Sequence, residues 1–206
     1  MKIQRKTEAL RQASQGMRNF VEFFVKEIRN GRIDYGVSGG TALQPTKSPC
    51  PNPPAIASNT FGQSTYGAMG GAGPTYQADT RLPLINLSNE QECLFWAKDN
   101  GSGGIKEVES AADITSGAAI YLGLAKINVA GYEKINPPNM KVDYVRFYVR
   151  PMCDPYTTTC PNGGLPERQP FVTIVMRFNL TLGTGERVII PYQTTITTDD
   201  YAIPRT

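Results

Sequence analysis

The 206-residue chain contains no histidine. That removes the side chain most often used as a general base and a common metal ligand, although it leaves other catalytic groups open. Charge of one sign is also scarce in excess. Twenty-one Lys and Arg stand against 18 Asp and Glu, a net +3, too little by itself to argue for nucleic acid or an anionic membrane. No apolar run approaches the roughly 20 residues that a membrane-spanning helix needs. No secretory pattern opens the sequence, since Met1-Lys2-Ile3-Gln4 leads straight into polar residues. Nucleophile elbow, P-loop and paired-carboxylate motifs are all missing, so the expectation is a protein that is not an enzyme, with no small-molecule substrate.

What is present begins with Thr7 to Asn30. Leu10, Ala13, Met17, Phe20, Val21, Phe24 and Ile28 recur at steps of three and four, the one-sided stripe of an amphipathic helix. Glu22 precedes Lys26 by four residues in the favoured ion-pair order. Thr7 suits an N-cap, and Asn30-Gly31 supplies a stop that tolerates the left-handed region. Strand-rich sequence follows, so the stripe is expected to be buried on a sheet.

Four cysteines are present, Cys50, Cys93, Cys153 and Cys160. Cys153 and Cys160 bracket a turn-rich loop and read as a local disulfide, which leaves Cys50 and Cys93 for each other and implies an oxidising compartment. A zinc site is the rival reading, but there is neither a CxxC pair nor a histidine to complete one. From about 36 to 80 the sequence is rich in Gly, Pro, Ser and Thr, and this predicts a long loop.

Residues 82–87 read as a strand or its lead-in. Residues 92–98 and 105–109, joined by Asp99-Asn-Gly-Ser-Gly-Gly104, predict a β-hairpin. Residues 118–122 and 125–129 read as two short strands. Val142–Val149, Pro170–Leu182 and Arg187–Thr197 are strands rich in β-branched and aromatic residues. Val172, Ile174, Met176, Phe178, Leu180 and Leu182 share one face by the period of two, and the region of Phe178, Val188 and Ile190 should meet the helix stripe. Near neighbours in sequence favour an antiparallel meander. The expected fold class is therefore α+β: one domain over 1–206, with a long N-terminal amphipathic helix packed on an antiparallel meander with long loops.

Four segments carry a resemblance to a known family: LRQASQGMRNFVEFFVKEIRNGRIDY, NEQECLFWAKDNGSGGIKEV, INPPNMKVDYVRFYVRP, and QPFVTIVMRFNL followed by VIIPYQTTITTDDY. In order and spacing the chain resembles the globular part of type IV pilin-like proteins, the minor pilins and the J-type pseudopilins of type II secretion. The resemblance implies a pilin-like fold and a structural subunit of a type IV pilus or a secretion pseudopilus, acting in filament assembly or priming. It implies partners among other pilin or pseudopilin subunits. It also implies an inner-membrane anchor through an apolar half-helix that this sequence does not contain, and a final place on a cell-surface filament. Residues 7–30 would correspond to the second, amphipathic half of the family's helix.

The residues raise three further chemistries. The turn from Asp99 invites a calcium reading, but Gly101 and Gly103 fall where an EF-hand loop wants oxygen ligands and Ser110 where it wants a glutamate. The expectation is no cofactor. Thr198-Asp-Asp-Tyr201 reads as an exposed tail. Alternation puts Tyr144, Arg146, Tyr148 and Arg150 on one side of a strand, candidate DNA contacts with further arginines at 168, 177 and 187 nearby. The 36–80 loop is the candidate for attachment to a host surface.

Overall fold

The computed structural model describes residues 2–34, 78–79, 81–102, 104–108, 120–126, 130–137, 140–150, 169–182 and 185–198. One helix, α1 (Lys2–Asn30), is followed by ten strands: β1 (Arg32–Ile33), β2 (Ala78–Asp79), β3 (Arg81–Ile85), β4 (Gln91–Asp99), β5 (Ile105–Glu107), β6 (Ile120–Lys126), β7 (Tyr132–Lys134), β8 (Met140–Arg150), β9 (Phe171–Thr181) and β10 (Arg187–Thr197). They form two antiparallel sheets. The larger has the order β1-β3-β4-β6-β7, with β5 also paired to β4; the smaller runs β10-β9-β8-β2.

The expectation of an α+β fold, a long helix packed on a single meander, is overturned. The described residues form a mostly β molecule in which two sheets share one core. The reason is width. Four strands spaced about 4.8 Å apart present a face that one helix of about 10 Å diameter cannot cover. A second sheet covers the rest. Leu82, Leu84, Leu94, Trp96, Leu122 and Leu124 of the larger sheet join Val145, Phe147, Val149, Val172, Ile174, Met176 and Phe178 of the smaller in one buried cluster. From α1 that cluster takes Phe20, Phe24 and Ile28.

The helix itself is divided. Among the described side chains, those at Gln4, Thr7, Glu8, Arg11, Ser14 and Gln15 are exposed. Met17, Phe20, Val21, Phe24 and Ile28 face the core. Phe20 meets the Phe178 ring edge-on at 5.7 Å, and Phe24 meets Tyr192 at 6.5 Å. The side chains of Leu10 and Ala13 lie outside the described residues. Gly31 ends the helix for a different reason from the one expected. It is not among the residues with positive φ, which are Asn89, Gly101, Gly131 and Gly185. A Cβ at Gly31 would instead stand 2.9 Å from the Glu27 carbonyl oxygen and 3.1 Å from that of Ile85. The helix end therefore needs glycine because the Glu27 carbonyl of its own last turn and the Ile85 carbonyl of β3 both crowd the position.

Strand β4 is buried on both faces from Gln91 to Lys98. Its even-numbered residues face the shared core, while Cys93, Phe95 and Ala97 form a second cluster with Ala125 on the back of the sheet. The two short strands expected around 118–129 are a single strand, β6. Gly123, inside this strand, sits under the Phe95 ring, where a Cβ would come within 2.6 Å of Cζ. Thr198 is not part of an exposed tail. It is fully buried, its N–H donates to the Pro170 carbonyl at 3.2 Å, and its own carbonyl accepts from Gln169 Nε2 at 2.7 Å. Residues 199–201 lie outside the described residues, as does the 36–80 loop up to β2.

This division of the helix is measurable by chemical denaturation. Phe24→Ala should cost about 3–5 kcal/mol, the usual range for a buried aromatic truncated to alanine. Ser14→Ala, on the exposed half, should stay within about 0.5 kcal/mol. Equal costs at the two positions would contradict the seating described.

Candidate functional site

The outer face of the four-stranded sheet concentrates the candidate residues. Strand β8 begins with Met140 and Val142 facing the core, and a bulge between Val142 and Tyr144 inserts one extra residue against β9. The bulge inverts the phase of the strand. Val145, Phe147 and Val149 then face the core, and Tyr144, Arg146, Tyr148 and Arg150 face outward, half-buried. Asn179 Nδ2 donates to Asp143 Oδ2 at 3.1 Å across the bulge. The register places Arg177, Val175, Thr173 and Phe171 of β9 beside the four outward residues. The same face continues onto β10 through Pro191, Gln193, Thr195 and Thr197.

The expected alignment of Tyr144, Arg146, Tyr148 and Arg150 is thus present, and Arg177 and Arg187 join it by register. Residue 168 lies outside the described residues. Arg146 is held rather than free. Its guanidinium stacks 4.9 Å from the Tyr144 ring centre and 5.6 Å from that of Trp96, and Nη1 donates to its neighbour's carbonyl at Val145. Burial, followed by the adjacent Tyr144 with which it shares a hydrogen bond, pushes the Tyr148 hydroxyl above its ordinary range, against the opposing charge of Arg146. Beyond Tyr148 lies a trough of about 410 Å³ lined by Tyr148, Arg150, Phe171, Thr173, Val175 and Gln193. Thr173 and Thr195 share a hydroxyl hydrogen bond of 2.9 Å beside it. Two rings, one guanidinium and neutral polar groups suit contact with planar or anionic groups on a larger partner. The β9 and β10 half of this trough escaped the sequence reading, because which β10 residue lies beside Thr173 depends on a register that alternation does not fix.

Cys93 is disulfide-bonded; Cys50, Cys153 and Cys160 lie outside the described residues. Among the described residues there is no cluster of three or more metal-ligating side chains. At the hairpin turn after β4, Asp99 Oδ1 accepts from the Gly101 N–H at 2.9 Å, and Asn100 Oδ1 accepts from those of Ser102 and Gly104 at 2.8 and 3.0 Å. These oxygens serve the turn itself.

One buried carboxylate lay hidden in the apolar run of β4. Glu92 is 1% exposed, and its Oε1 has no hydrogen-bond partner. Burial, then the negative charge of Glu27 on α1, raises its pKa above the ordinary value of 4.5; Lys126 on β6 and Asn86 oppose the shift, and Glu90 adds to it. A carboxyl raised on folding contributes stability that is fully present below the unfolded value and is lost as pH rises through the folded one. Thermal melts should therefore show Glu92→Gln more stable than the parent at pH 8, with the gap closing toward pH 4.5. A gap that does not change with pH would contradict the burial of an ionisable Glu92.

No protein-family model matches the chain, and neither a curated protein nor a solved structure is detectably similar to it.

Proposed function

We propose that the chain is a non-enzymatic structural subunit of a type IV pilus or a type II secretion pseudopilus, a minor pilin or pseudopilin that joins its assembly through the N-terminal helix. The observation that carries this reading is the division of α1. Phe20, Phe24 and Ile28 fix the last turns rigidly to the β body. The described side chains from Gln4 to Gln15 are exposed. At 29 residues the helix is about 43 Å long, so its first half can meet neighbours while the body follows as one unit. Partners are other subunits of the same filament, and the location is the cell surface.

Photo-crosslinking in cells tests the proposal. A photoreactive residue at Gln4, Thr7 or Arg11 should yield adducts with other subunits of the filament, and one at Asn100, on the far hairpin, should not. Equal yields at both places, or none at the helix, would remove it.

A second reading is favoured by one observation, the outward row of Tyr144, Arg146, Tyr148 and Arg150 beside Arg177. Such a face suits DNA carried on the filament. Binding to a labelled duplex should then be measurable at low salt and fall steeply as salt rises. Arg177→Ala should weaken it without loss of stability, since Arg177 is exposed. No shift of the duplex at low salt ends this reading.

A further inference from the structure

The outer edge of β10 is built to accept another strand. Backbone pairing across β9 and β10 follows one parity. Leu182 N–H donates to the Glu186 carbonyl at 2.8 Å, and Thr198 N–H donates to that of Pro170 at 3.2 Å. Both pairs lie on the same register as Leu180 with Val188 and Val172 with Ile196. In an antiparallel ladder such hydrogen-bonded pairs alternate with pairs whose amides point the other way. The even-numbered residues of β10 therefore spend their backbone groups on β9, and Arg187, Ile189, Pro191, Gln193, Thr195 and Thr197 aim theirs away from it. β10 is the terminal strand of its sheet. Among the described residues nothing pairs with that side.

Proline falls on one of these outward positions, where a missing N–H costs the sheet no bond. It also divides the edge. The first half carries the usual protections, Arg187 at its start and Pro191 at its end. The second half, Tyr192–Thr198, has neither a charge nor a proline. Its outward residues Gln193, Thr195 and Thr197 are exposed, uncharged and polar, and three of its members are threonine in the ladder itself.

We infer that this half-edge is a self-association site, at which β10 of a second copy pairs antiparallel about a two-fold axis at Thr195. Outward positions then meet outward positions. Thr195 opposes its own symmetry mate, and Gln193 opposes Thr197 of the other copy. Every outward N–H and carbonyl in that span finds a partner. The second copy is the occupant that the edge itself specifies. The segment is free of charge, so pairing with itself brings no like charges together. Threonine opposite threonine is a favourable cross-strand pair. Registers centred nearer the start of β10 place Pro191 opposite a carbonyl it cannot serve, which confines the pairing to the second half. The two four-stranded sheets become one continuous sheet, an isologous contact closed by its two-fold axis. This inference goes beyond assembly through α1 and is independent of it.

Sedimentation equilibrium on the full chain, with two variant series, tests it. The parent should be a dimer in equilibrium with monomer. Thr195→Lys, and as a second variant Thr197→Lys, should shift that equilibrium to monomer while leaving the far-ultraviolet circular dichroism spectrum unchanged. Thr195→Cys should form a disulfide-linked dimer on mild oxidation, because hydrogen-bonded antiparallel pairs sit about 5.5 Å apart at Cα, within disulfide reach. Gln193→Cys should not, since the two copies of that position lie about 13 Å apart along the strands. A parent that stays monomeric at every concentration, a dimer that survives both lysines, or crosslinking from Gln193→Cys as good as from Thr195→Cys would each overturn the inference.

Discussion

Two side chains join the sheets by answering the same problem, a buried carbonyl with no strand beside it. Among the described residues, strand β2 pairs with β8 at Phe147 and Tyr148 alone, and the carbonyls at the start of β8 have no ladder partner on that edge. The Trp96 indole N–H donates to the Val142 carbonyl at 2.7 Å. Asn136 Nδ2 donates to that of Met140 at 2.6 Å, while its Oδ1 accepts from the Leu122 N–H at 2.9 Å. Trp96 and Asn136 belong to the larger sheet and its adjoining loop. An unsatisfied buried carbonyl costs about 1–3 kcal/mol, so these bonds fix the position of one sheet against the other more tightly than apolar packing alone. The same Trp96 ring links this junction to the outward row, since the Arg146 guanidinium lies 5.6 Å from its centre.

The parts of the fold legible in the sequence are those governed by local period. The apolar stripe of α1, the hairpin after Glu92, and the alternation of β8, β9 and β10 all follow from spacing within one segment. The facing of Phe178 toward the helix is of that kind. Assembly into two sheets is not. It depends on the width of a face and on contacts such as Trp96 with Val142, which lie 46 residues apart and leave no periodic trace. Two glycines show the same limit. The Ile85 carbonyl crowds Gly31 and the Phe95 ring covers Gly123, approaches from other elements that spacing within one segment does not reveal.

The candidate face shows the same split. Which β8 residues point outward was readable once the strand was recognised, because valine and phenylalanine alternate there with tyrosine and arginine. The contact of Arg146 with two rings was not, since one of those rings comes from another sheet. Glu92 hid for an opposite reason. It stands in a run where every neighbour is buried, and a polar letter at the start of such a run reads naturally as the strand's solvated end. In the fold it is buried near enough to Glu27 of α1 to feel that negative charge.

The extra residue in β8 has a consequence for how this strand can vary. Before Asp143 the core takes even-numbered positions, and after it the odd ones. Removing a single residue there would turn Val145, Phe147 and Val149 toward water and drive two tyrosines and two arginines inward, whereas exchanging any one outward residue disturbs only its own surroundings. Lineages of this chain should accordingly tolerate single exchanges along that strand more readily than any change in its length.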